Sequence, residues 1–160
     1  MAPLPNFTPT AKVDSFGFID EADTTDVDAD LIAQTADLES GTGIGLVRIP
    51  EIAADIIKAR VTGVGPINLA TLTATTLADI NTFNGLISIL GTNAITAQNL
   101  ISQTDSDSND IIISTTSGDI ILGSLSAGNL GDVKITAADG SILDDGTAAK
   151  TSGDDVNMKA

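Results

Sequence analysis

From about residue 17 onward the chain is written in short segments where apolar and polar side chains alternate, each bounded by Gly, Asn or Asp. The segments are PINLATLTA (66–74), GLISILG (85–91), DIIIST (110–115), GDIILGSL (118–125), GDVKITA (131–137) and GSILDD (140–145). A period of two is that of a strand with one buried face, and the enrichment in Ile, Val and Thr suits a pleated surface. The pattern points Ile67, Leu69, Ile87, Ile89, Ile111, Ile113, Ile120, Leu122, Val133, Ile135 and Ile142 inward.

These strands recur. One class begins after Gly65, Gly85, Asn109 and Gly131, at spacings of 20, 24 and 22 residues; a second, around Ile95, Ile120 and Ile142, is spaced by 25 and 22. Several short strands every ~20–25 residues is the signature of a solenoid, in which inward side chains stack coil upon coil. A β-sandwich also places strands every 8–12 residues, but its core normally takes aromatics. Aromatics are 2% of this chain, and the frequent Ala, Gly and Ser suit a narrow interior. The expectation is an all-β, right-handed parallel β-helix of five to six coils over residues 17–160, preceded by a Pro-rich extended arm at 1–16.

Two stretches stand apart. Pro3, Pro5 and Pro9 forbid helix in the arm and favour extended backbone. Residues 49–61 place apolar side chains at 49, 52, 53, 56, 57 and 61, with Pro50 and Glu51 at a favourable start and Gly63 at a stop. Local rules there favour a helix.

The order of TADLESGTGIG (35–45), TSGDIILGSLSAG (116–128) and GDVKITAADGSILDDG (131–146) resembles the repeats of large bacterial exoproteins of the filamentous-haemagglutinin type, over about residues 30–158. The resemblance implies a right-handed parallel β-helix forming the shaft of a secreted, surface-associated fibre or adhesin. It also implies strand at 49–61, the reading adopted. The family's N-terminal secretion domain, with its Asn-Pro-Asn-Gly-type motif, has no counterpart in these residues.

Charge narrows the functions. Twenty-two acids against seven bases give a net charge of −15, which repels nucleic-acid phosphates and anionic lipid. Cys and His are absent, which removes thiol and Ser–His–Asp catalysis from the chain's own residues. No stretch approaches the ~20 apolar residues of a membrane-spanning helix, and the start lacks a signal peptide's basic and apolar regions. Polysaccharide cleavage on a β-helix needs converging acids, whereas Asp20/Glu21, Asp105–Asp110, Asp144/Asp145 and Asp154/Asp155 fall in separate turns. The chain is therefore read as no enzyme, with a polysaccharide-active β-helix the third alternative.

Asp105, Asp107, Asn109 and Asp110 have the alternate oxygen spacing of calcium loops without the EF-hand's Gly and Glu; the plainer reading is a polar loop whose side chains cap backbone amides. Asp23, Asp26, Asp28 and Asp30 repeat the calcium idea, the plainer reading there being a charged, solvated edge that discourages sideways aggregation. No other cofactor is implied. Thr71, Thr73 and Thr75 form a short outward threonine row, without equivalents on the other coils. Gly17-Phe18-Ile19-Asp20-Glu21 matches Gly140-Ser141-Ile142-Leu143-Asp144-Asp145, and Asp26-Val27 echoes Asp155-Val156, so the chain ends in the phase in which its body begins. These matches lead to an extracellular structural protein that stacks on itself head to tail, or in tandem repeats. Phe18, Ile19, Val156 and Met158 would form the contacting ends, with Leu4 and Phe7 anchoring the arm on a neighbour. The second reading is an adhesin shaft whose outward loops, such as 103–110, bind cell-surface glycans.

Overall fold

The computed structural model describes residues 9–22 and 28–160. Fifteen strands and no helix make up these residues: β1 (Thr10–Ser15), β2 (Phe18–Ile19), β3 (Leu31–Ser40), β4 (Gly43–Ile44), β5 (Glu51–Val64), β6 (Ile67–Thr71), β7 (Thr75–Asn84), β8 (Ile87–Gly91), β9 (Ile95–Ser102), β10 (Ile111–Thr115), β11 (Ile120–Ser126), β12 (Val133–Ala137), β13 (Ile142–Asp144), β14 (Thr151–Ser152) and β15 (Val156–Lys159). Every pairing is parallel and joins strands one coil apart. The result is a right-handed β-solenoid of about seven turns, the hand expected of parallel crossovers.

Each coil has a short strand and a long one. The short strands β2, β4, β6, β8, β10, β12 and β15 stack as the first side. The long strands bend midway: in β7 both Leu77 and Ile80 are buried, and in β9 both Ala97 and Leu100. Two successive outward residues separate each buried pair, and a strand turns a corner there, giving second and third sides. Inside, like stacks on like. One column runs Ile19, Ile44, Ile67, Ile87, Ile111, Val133, Val156; another runs Val13, Leu38, Ala59, Ile80, Leu100, Leu125, Thr151.

The corners admit little volume. A Cβ on Gly85 would overlap the carbonyl of Gly65 one coil earlier, so glycine at this position is a steric requirement. Hydroxyls close the same corner from within. Ser40 Oγ donates to the Gly17 carbonyl (2.8 Å), Thr82 Oγ1 to that of Gly65 (2.8 Å) and Ser102 Oγ to that of Gly85 (3.0 Å). Each buried hydroxyl thereby finds a partner at the corner of the preceding coil.

Four expectations change. The coils number about seven rather than five to six, because β1, within the stretch read as an arm, already pairs with β3 along six residues. Thr71 and Thr75 are buried and only Thr73 is exposed, so there is no outward row of the three. Of the expected inward residues, Leu122 and Ile142 are partly buried and the other nine are fully buried. Ile142 belongs to the column of Thr75, Ile95 and Ile120, whereas Ile19 aligns with Val156. The phase match of Gly17 with Gly140 is therefore out of register, and the spatial equivalents are Phe18-Ile19 and Asp155-Val156. The stretch at 49–61 is strand from Glu51 on, as β5: Ile52, Ala54, Ile57, Ala59 and Val61 all face the core, where stacking on β3 and β7 outweighs local helical spacing.

Candidate functional site

The acids that the sequence places in turns act across coils. Asp20 accepts the N–H groups of Leu46 and Val47, and Asp30 that of Glu51 (2.8 Å). Asp110 accepts from Asp132 N (3.0 Å), Asp119 from Ser141 N (2.8 Å), and Asp132 from Asp155 N (3.1 Å). Asp105 is the most engaged: Oδ1 accepts from the N–H groups of Asn129 (2.7 Å) and Leu130 (2.8 Å), and Oδ2 from Asn129 Nδ2 (2.9 Å). These donors, the Asn129 side chain first, hold the Asp105 carboxyl below the usual carboxylate range.

All six carboxylates reach in one direction, from their own coil to the following one. Side-chain donors reach the other way. Asn68 Nδ2 donates to the Gly45 carbonyl (2.7 Å), Asn93 Nδ2 to Leu72 (3.0 Å) and Thr92 Oγ1 to Thr71 (3.2 Å), each in the preceding coil. At the turns, then, free backbone N–H groups face back along the axis and free carbonyls face forward. The side chains follow that polarity because a carboxylate only accepts.

Of the residues with calcium-loop spacing, Asp105 and Asp110 thus cap different turns, and Asn109 is buried with Nδ2 donating to the Thr104 carbonyl (2.7 Å) and Oγ1 (2.8 Å). Asp107 is exposed. The acids whose ligand oxygens gather within 4.8 Å of one another, among the described residues, are Glu21, Asp30 and Glu51. Sequence reading missed this grouping because Glu21 and Asp30 stand at opposite ends of the β2–β3 connection and Glu51 opens β5 one coil on, so that only coiling brings the three together. Asp144 and Asp145 cap their own turn, Asp144 accepting from Gly146 N (2.8 Å) and Asp145 from Thr147 Oγ1 (2.7 Å) and N (2.9 Å). The Thr147 hydroxyl and N–H lower the Asp145 carboxyl's affinity for protons.

On the third side the charges alternate outward: Lys12, Asp37, Lys58 and Asp79 lie on adjacent strands in one row. Opposite charges across strands stabilise a sheet modestly. The second side is different: Thr35, Ile56, Thr76, Thr96, Ile121 and Leu143 form an uncharged row.

The two ends complete the picture. At the first coil Ile19 and Val13 pack half-buried on the core, while Phe18 is 56% exposed and Phe16 fully so. At the last, Val156 and Met158 are 46% and 44% exposed although they continue the buried columns of Val133 and Ile135. A hollow of about 270 Å³ opens beside Met158, lined also by Leu122, Ile142 and Leu143. Among the described residues, no strand pairs with the outer edge of β2 or of β15. Leu4, Phe7, Asp23, Asp26 and Val27 lie outside the described residues.

Fold and site define a right-handed β-solenoid with capped turns and, among the described residues, strands unpaired on their outer edges at both ends. No family model, curated protein or solved structure matches the chain.

Proposed function

We propose that the chain is a structural unit that stacks on itself head to tail, as the repeating element of an extracellular filament. The observation that carries this reading is a pair of edges that no strand covers among the described residues: β2 opens the first side and β15 closes it in the same register column, each bearing half-exposed apolar side chains. Parallel-sheet edges with such side chains template further strands unless they are covered. Contact between unlike ends is heterologous and gives an open fibre rather than a closed dimer. The resemblance to exoprotein shafts supports the extracellular setting. The many backbone-capping acids suit a rigid rod whose turns need no partner.

Negative-stain microscopy of the purified chain over a concentration series tests the reading. Unbranched filaments one solenoid wide are expected, longer at higher concentration. Discrete single particles at every concentration would overturn it.

A further inference from the structure

On the first side, the residue before each leading inward aliphatic forms its own column: Phe18 leads into Ile19, Gly43 into Ile44, Pro66 into Ile67, Leu86 into Ile87, Asp110 into Ile111, Asp132 into Val133 and Asp155 into Val156. From coil to coil the backbone carbonyl here accepts from the strand before it: Ile87 N donates to the Asp110 carbonyl, Ile111 N to Asp132 and Val133 N to Asp155, at 2.8–2.9 Å. The N–H of the same residue points back along the axis. In the last two coils a carboxylate meets it, so that Asp110 holds Asp132 and Asp132 holds Asp155. Earlier in the column Pro66 has no N–H to offer and Gly43 N finds Ser40 Oγ (3.0 Å).

The relay of acids therefore runs forward and leaves its final carboxylate, on Asp155, exposed at the outer edge. In the same column at the opposite end stands Phe18, whose N–H faces back out of the first coil by the same geometry. We infer that the Asp155 carboxylate of one copy accepts the Phe18 backbone N–H of the next, setting the register and polarity of the stack. Val156 then falls on Ile19, continuing a column that is aliphatic in every coil. This rests on the head-to-tail reading and adds to it the residue that selects direction. A stack turned end for end would set Asp155 against another Asp155, two carboxylates with no donor between them.

The test measures the critical concentration for assembly by light scattering, for the unaltered chain and for Asp155→Ala, Asp155→Asn and Asp154→Ala. Far-UV circular dichroism at low concentration checks the fold of each. A hydrogen bond to a charged acceptor corresponds to roughly tenfold in affinity or more. Asp155→Ala is expected to raise the critical concentration by about that factor. Asp155→Asn, which keeps an acceptor oxygen, should recover part of it. Asp154→Ala removes the same charge one residue away and should leave assembly no weaker. Equal assembly by Asp155→Ala and the unaltered chain would overturn the contact while leaving the filament intact. Failure of the unaltered chain to assemble would overturn the filament itself.

Discussion

The central coils and the last coil obey the same register and differ in what fills it. Between Ile67 and Ala137 each inward position of the first side is fully buried. In the last coil the second and third sides turn partly polar: Ile142 still follows Ile120, but Asp144 follows Leu122 and Thr151 follows Leu125. The first side alone keeps an aliphatic or Met side chain at both of its inward positions, Val156 and Met158. That end is thus mixed on two sides and apolar along the first. A terminal coil meant to stop the solenoid would be polar on all sides. The contrast locates any axial contact on the first side, beside Asp155.

The largest effect is expected where a column is closed above and below. Leu100 lies between Ile80 and Leu125 with no exposure. Leu100→Ala should cost about 2–5 kcal/mol in denaturant unfolding, and a loss below 1 kcal/mol would mean the central coils are not packed as described. Next comes the loop between β9 and β10. Asn109→Ala removes both bonds to Thr104 from a buried position and should cost about 1–3 kcal/mol, with proteolytic cleavage newly appearing at 103–110.

How much of this was legible follows from which interactions are local. The spacing of Gly65, Gly85, Asn109 and Gly131 reappears as the stacking of Ile67, Ile87, Ile111 and Val133, because each coil writes its own alternation and its own corner. The first coil was missed because β1 sits directly after the prolines and shows its face only against β3. Register at the ends was misjudged for a related reason: Gly-x-Ile occurs at two different corners, and the motif does not say which. The acids of the turns were visible as capping residues. Their partners were not, since the N–H that Asp105 accepts lies 24 residues on, brought near only by coiling.

Acid sharpens the comparison further. Asp105 ionises more readily folded than unfolded, so its contribution is fully present above the ordinary carboxylate pKa and is lost as pH falls through the lowered folded value. Amide exchange at Asn129 and Leu130, referred to amides in the central strands, should therefore accelerate in acid below that ordinary value. Asp105→Asn should remove the pH dependence, and an unchanged profile would show that this clamp does not act. The smallest effect is expected at the edge. Val156→Ala in dilute, unassembled chain should change stability by no more than about 0.5 kcal/mol, while weakening assembly, because Val156 is covered on one side only.

The chain contains no cysteine, which allows the stack to be trapped directly. Ile19→Cys and Val156→Cys place one thiol at each end of the same column, separated within a molecule by the length of the solenoid. Mild oxidation of the double variant above its assembly concentration should give a ladder of dimers, trimers and longer covalent chains on a non-reducing gel. Each single variant should stop at dimers or fewer. Oxidation products limited to dimers in the double variant, or no products at all, would contradict head-to-tail stacking through these edges.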